Sequence, residues 1–519
     1  MAALRSLRTR RDLGIRILCL GIGLTFTLAA TATRAAQPVT FYGFDEAGLS
    51  PEAAQGLHEI FAGKLFNFGI PVKGAKMVMQ SQNNFQKELG FEPNSEAARF
   101  FVNGRLPSPA TRQEGVDEAF ALGNSVFDRD GVPTVNINCF ECHAGVVNGQ
   151  VVAGLGNSHI NQSDPRKART RGDNFGPYEV WRLGARLAEP EKNGMVLAKG
   201  RTELQALIDS QELPPVDPMP WWLMKYKEWN YWYGDGGSHN AANFSINFTV
   251  PQPDMNARRA EHVQIVAKAL AFARETQSPP FPDALDAALV KQGADLFHGR
   301  TQPSAAQGFR ACKTCHGTYT NKSEQADLTQ PGGWTVTYNF SDTLRNVGTD
   351  ASYNHTLQKL KPIAENINKV AEYFKAQGQP EISPHARVPE GEGYVAPPLV
   401  GVWASAPYFH NGSVPTLEAV LNTSERPEIW SRNNRDPFAY NLTQVGMDFH
   451  PASREEFDAS ATAAKGKPFG SPAAVAHTTL YDTKAHGHAN TGHPFGDRLT
   501  TQERAAVIEF LKSLSGPNM

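Results

Sequence analysis

Two short segments constrain this chain of 519 residues more than anything else in it: Cys139-Phe140-Glu141-Cys142-His143 and Cys312-Lys313-Thr314-Cys315-His316. Each sets two thiols three positions apart, one helical turn, with a histidine directly after the second. Thiols at that spacing add across the two vinyl groups of a haem, and the adjacent imidazole then lies beneath the iron as its proximal ligand. A zinc knuckle or a thioredoxin-like redox pair uses C-x-x-C but has no need of the following histidine. There are five cysteines. Cys19 falls in the N-terminal leader, and the two units consume the other four, so no disulfide framework is left to build. The expected cofactors are two covalently bound haems c, attached at Cys139, Cys142, Cys312 and Cys315, with His143 and His316 as metal ligands.

The leader points outside the cytoplasm. Arg5, Arg8, Arg10, Arg11 and Arg16 precede the apolar run Ile17 to Ala30, and small residues offer cleavage after Ala32 or Ala35. Residues 1–35 therefore read as a secretory signal peptide. The competing reading, an uncleaved anchor, has an apolar run too short to span a bilayer comfortably. Arg10-Arg11 resembles a twin-arginine signal, but that route carries folded cargo, whereas haem is attached after unfolded export. A periplasmic or secreted protein with no membrane span in its mature chain is expected. Loss of the leader, which carries an excess of five positive charges, turns the net charge of −2 into −7. A moderately acidic chain has no reason to seek nucleic acid or anionic membrane, and both are excluded as partners.

The units lie 173 positions apart, too far for a string of minimal haem-wrapping segments. The expected fold is mainly α: two cytochrome c-like haem domains with long loops and few short strands, at 36–285 and 286–519. Ser50 is placed to cap a helix beginning at Pro51. The glycines after the first unit suggest a turn or short hairpin over the haem. A helix is expected over Asn256 to Thr276, then a Pro-rich linker, Ser278 to Pro282. An amphipathic helix from Asp283 to Phe297 leads into the second unit. Thr500 and Glu503 form a capping-box pattern for a final helix from Gln502 to Leu514. Residues 376–394 and 451–475, rich in Gly, Pro, Ala and Ser, are expected as loops. The dense aromatic run at 214–233 must bury itself against something large, ordinary core or haem.

The segment from Pro398 to Leu421, containing Pro407-Tyr408-Phe409-His410, resembles the P-Y-F-H-x-G stretch of the bacterial di-haem cytochrome c peroxidases and the related di-haem enzyme of methylamine utilisation. Within that superfamily the chain is most similar to the rubber oxygenases. The shared motifs are Asn138 to Gly145, Gly154 to Ser158, Pro218 to Lys227 and Gly492 to Gly496. There is a departure from the peroxidase branch. Its methionine ligand, fourteen positions after the histidine of P-Y-F-H, corresponds to Ser424, which cannot serve, and no W-D-G-R-type segment is present.

This resemblance implies a second haem held between two histidines, with His493 as the distal ligand; His488, His486 and Met447 are the alternatives, and a methionine would raise the potential. The histidines of that loop have a third reading, adventitious metal binding. For the first haem it implies an open position or bound dioxygen, His159 and His239 being the nearest candidates for a capping ligand. Trp221, Trp222, Phe244 and Phe248 are candidate walls of a dry substrate pocket. Trp222 is the expected catalytic relay between the haems. His410 is expected to act near the second haem, and Arg345, in Leu344-Arg345-Asn346-Val347, to pair a propionate. The implied activity is dioxygen or peroxide activation at the first haem, with the second as electron relay. An apolar polymer or small molecule is the implied substrate, cleaved oxidatively, and a small electron-transfer protein the implied partner. A pure electron carrier with both irons capped and a di-haem peroxidase are the rivals.

Overall fold

Two pairs of helices, each crossing at a glycine, carry much of the packing. Helix α1, Pro51–Phe61, begins as expected: Ser50 Oγ accepts from Ala53 N at 3.2 Å, and Pro51 supplies the first turn. Its Gly56 meets helix α2, Met255–Glu275, so closely that a Cβ would lie 1.9 Å from the Lys268 carbonyl oxygen. Helix α3, Ala287–His298, is capped by Asp286 and ends at Gly299 in the left-handed region. It meets helix α4, Thr501–Ser513, at Gly293, where a Cβ would lie 1.9 Å from the Ala506 carbonyl oxygen. No side chain fits at either crossing. This computed structural model describes residues 39–66, 69–73, 122–158, 188–191, 194–197, 214–234, 240–248, 255–304, 309–323, 325–359, 361–432, 437–467, 473, 476–477 and 479–517. The expected signal peptide, His159, His239 and the Phe248 side chain lie outside the described set.

The mainly α expectation, with two cytochrome c-like haem domains and few short strands, is corrected. Among the described residues 38% are helical and 16% lie in strands, in sheets of two or three strands spread along the chain. The reason is local. After the first unit, Ala144–Val147 and Gln150–Ala153 form an antiparallel hairpin, closed by Asn148 and Gly149, both at positive φ, as a two-residue hairpin turn requires. Four valines, Val146, Val147, Val151 and Val152, favour that pleated surface over a helix. Thr40–Tyr42 then adds in parallel to Gln150–Val152. A second correction concerns 451–475, expected as loop. Arg454–Ala464 is a helix, started by a capping box between Ser453 and Glu456.

One apolar cluster gathers Leu57, Ile60, Phe140, Trp221 and Phe272. Another joins Val152 and Trp222 to Phe297, Tyr319, Trp403 and Phe510. The Pro-rich stretch expected as a linker is held fast. Ser278 O accepts from Tyr42 at 3.1 Å, Ser278 Oγ from Gly516 N at 3.0 Å, and Pro279 O from Trp403 Nε1 at 3.0 Å. No helix among the described residues is long and apolar enough to cross a membrane.

The α4 cap carries a stability prediction. Glu503 accepts from Thr500 N and Oγ at 2.8 and 3.0 Å, and from Ser304 N and Oγ at 2.7 and 2.8 Å. Burial acts to raise its pKa, but the four donors outweigh it and hold the carboxyl at about 2. A depressed carboxyl pKa stabilises the fold above the ordinary value of 4.5, and that stability is lost as pH falls towards about 2. Glu503→Gln is expected to cost about 1 kcal/mol at neutral pH, with the gap to wild type closing in acid. Thermal melts in neutral and acid buffer check this, and a gap independent of pH would count against it.

Candidate functional site

Both C-x-x-C-H units form the same single turn of helix. His143 N donates to Cys139 O and His316 N to Cys312 O, each at 3.0 Å. That turn brings the two cysteines to one face with the histidine beside them. Among the described residues none of these four cysteines is in a disulfide. Burial pushes the Cys139 and Cys312 thiols up to about 12, whereas reactive and metal-binding cysteines are shifted down. Among the described residues no group of three His, Cys, Asp or Glu side chains is placed to hold a metal ion. Apolar surroundings of this kind suit thioether attachment of a haem and disfavour zinc or thiol exchange.

The second unit opens on an apolar cavity of about 210 Å³, lined by Cys312, Cys315 and His316. His316 Nδ1 lies 2.8 Å from Pro397 O. A carbonyl only accepts, so Nδ1 carries the proton and Nε2 keeps its lone pair for a metal. Burial lowers the His316 pKa, which keeps the ring neutral. Across the cavity stands His493, with ring centroids 6.2 Å apart and planes at 70°. Two imidazoles on opposite sides of one metal ion, with bonds of about 2.0–2.1 Å, have centroids roughly 6.3 Å apart. His493 Nδ1 is buried without a partner, and the backbone there is left-handed, at φ 51°. Its rivals lie elsewhere. His488 Nδ1 bonds His486 O at 2.7 Å beside Tyr481. Met447 is part of a two-stranded ladder, and none of the three lines the cavity.

Arg345 and His410 also line this cavity. Arg345 Nε is buried with no partner, a cost that an anion such as a propionate would remove. His410 is buried and stacks on Tyr394 at 3.8 Å between centroids. Burial lowers its pKa to about 3, and its Nε2 is unpartnered.

The first unit lines a cavity of about 140 Å³. His143 stacks on Trp221 at 4.7 Å, and its Nδ1 is buried without a partner. Burial lowers its pKa to about 3, so the ring is neutral and able to bind a metal. The Gly154 to Ser158 motif joins this unit to the aromatic run. Gly154 N donates to His143 O, and Gly154 O accepts from Trp221 N, both at 2.8 Å. Asn157 N donates to Cys142 O at 2.8 Å. A Cβ on Gly156 would lie 2.1 Å from Pro218 O. Trp221 and Phe244, two expected walls, line the cavity. Among the described residues no second histidine does.

The two cavities share a wall: Asp217, Met219, Pro220, Leu223 and Trp232 line both. Trp222, the expected relay, lines neither. It is fully buried and donates Nε1 to Val400 O at 2.9 Å. The tryptophan common to both cavities is Trp232, which donates Nε1 to Asp217 O at 2.7 Å. Asp217, Trp232 and Tyr394 were not among the expected site residues. The only signal was their place in or beside segments already singled out, and prolines leave such a run without a readable face.

Residues 393–431 match a protein-family model described as RoxA-like, cytochrome c-like. This stretch includes Tyr394, Tyr408 and His410 of the second cavity. Uncharacterized protein y4iM of Sinorhizobium fredii (strain NBRC 101917 / NGR234) is 39% identical over 105 residues, 20% of this chain and 20% of that protein. Uncharacterized protein y4iJ of the same strain is 25% identical over 276 residues, 44% of this chain and 39% of that one. The chain thus matches well under half the length of either relative. A RoxA-like cytochrome c-like domain is present; it implies a haem c cofactor and a haem-based role of the oxidoreductase type.

Proposed function

We propose that this chain is an exported haem c oxidoreductase in which two covalently bound haems divide the work: the first reacts with dioxygen or peroxide, and the second passes electrons to it. The observation that carries this reading is the asymmetry of the cavities. His316 faces His493 at 6.2 Å between centroids, while His143 faces no second histidine among the described residues. A haem with both axial positions filled serves electron transfer, and one with a position free binds and activates oxygen.

The chain's own residues take defined parts. Cys139, Cys142, Cys312 and Cys315 anchor the cofactors, with His143 and His316 as proximal ligands. His493, facing His316, would be a further ligand to the second cofactor. Arg345, whose Nε has no partner, would neutralise a propionate of that cofactor, and His410, stacked on Tyr394 with Nε2 unpartnered, would supply it a hydrogen bond. Trp221 and Phe244 exclude water from the first pocket and present an apolar surface to substrate. Trp232, common to both cavities, takes the relay position first expected at Trp222. A dry, apolar first pocket supports an apolar substrate, and oxidative cleavage of a carbon–carbon double bond is the reaction that the rubber-oxygenase resemblance suggests.

Electron paramagnetic resonance of the purified protein, as isolated and half-reduced, tests the division. A high-spin or oxygen-bound first centre beside a low-spin second is the expected outcome. Two low-spin signals in both states would favour a pure electron carrier. Oxygen uptake with polyisoprene and with small alkenes tests the substrate class, and no uptake with either would remove double-bond cleavage.

A further inference from the structure

Asp217 stands in the wall common to the two pockets and is buried, with 8% of its surface exposed. Its backbone is clamped on both sides: Asp217 N donates to His410 O at 2.7 Å, and Asp217 O accepts from Trp232 Nε1 at 2.7 Å. Its side-chain Oδ1 has no hydrogen-bond partner. A buried carboxyl left in this way is expensive to keep charged. It is also the only acidic side chain among the described residues lining either cavity. We propose that Asp217 is a proton-exchanging carboxyl shared by both pockets, which couples electron transfer at the neighbouring centres to uptake and release of one proton. This rests on the two-haem reading above.

The balance is simple. With the haems bound, a one-electron donor, whether a small cytochrome or a chemical reductant, would add an electron in a pocket beside Asp217. The added negative charge raises the proton affinity of the carboxylate, which takes one proton from solvent and forms its O–H bond. When the electron leaves, that bond breaks and the proton returns. Burial already holds the Asp217 carboxyl well above the usual carboxylate range, with Arg432 pulling the other way. Other groups line the same cavities: His143, His316 and His493, kept neutral by burial, and Arg310, whose Nε donates to Thr314 Oγ1 at 3.2 Å. His410 is kept neutral by burial, Arg345 stands across the second cavity, and Lys227 Nζ is engaged by Met219 Sδ at 3.1 Å and Asn230 O at 2.9 Å. None of these offers Oδ1 a hydrogen bond.

The test is a redox titration of the haem-loaded protein followed by its absorption spectrum, repeated across the neutral pH range, for wild type and Asp217→Asn. Reduction coupled to proton uptake makes the mid-point potential of at least one centre fall as pH rises. The Asn variant keeps the shape and a donor N–H but cannot exchange a proton, so its potential is expected to lose that slope. Equal slopes in the two proteins, or a pH-independent wild type, would overturn the proposal and leave the two-haem reading intact. Should the variant fail to accumulate, reduced-minus-oxidised infrared spectra of the wild type decide. A protonated-carboxyl band that changes between the states supports the proposal, and its absence defeats it. The haem content of the same samples keeps the two ideas apart, because fewer than two haems per wild-type chain would remove the underlying reading itself.

Discussion

Cys312→Ser combined with Cys315→Ser is expected to yield a chain that keeps one covalent haem, against two in the wild type on the proposed reading. The two units have the same backbone turn but open on different cavities, so removing the thioethers of one leaves the other's attachment chemistry untouched. After denaturation, haem staining should persist at about half strength, from Cys139 and Cys142 alone. The mirror variant, Cys139→Ser with Cys142→Ser, should show the same halving. The cost to stability is large as well. An apolar cavity without its occupant forfeits packing on every wall, on the order of several kcal/mol. Two haems per chain surviving denaturation in either double variant would show that the thiols are not the attachment points.

The second large effect is expected at His493. Replacing it with alanine removes the ring that faces His316 across the second cavity and leaves a position open on that side. The second centre should change from low-spin to high-spin, with the signal of the first centre unchanged. Added imidazole should restore the low-spin signal, because the space vacated by the side chain admits a ring of the same size. A structural role for His493 would not give that rescue. An unchanged low-spin signal in His493→Ala would reject the ligand assignment and return attention to His488, now buried against Tyr481.

What could be read from the sequence was whatever depends on fixed local spacing. The two C-x-x-C-H turns, the Ser50 cap and the Thr500–Glu503 box are all of this kind; the helix expected from Asp283 begins instead at Ala287, where Asp286 caps it. Apart from the hairpin after the first unit, the small sheets were not legible. Most of the strands have only two to four residues and give no periodicity, and the partner of Thr40–Tyr42 lies more than a hundred positions away at Gln150–Val152. The helix at Arg454–Ala464 was hidden by composition, although Ser453 and Glu456 carried the same capping signal that had been used at Thr500. At the candidate site, the aromatic run was visible but its facing was not. A short 3₁₀ turn over Trp221–Tyr226 buries Trp222 in the core, while Trp232, ten positions on, lines both cavities. The choice among His486, His488 and His493 likewise turns on one left-handed residue, which no pattern of residue types announces.

The wall between the pockets has a practical consequence for anyone wishing to alter what the protein accepts. Leu223 borders both cavities, so a smaller residue there enlarges both at once and brings the second centre into the redesign of the first. Met224 borders only the first and Val400 only the second. Room for a bulkier substrate is therefore best sought at Met224 or on the α2 side, at Leu270, where the neighbouring compartment is left at its original size.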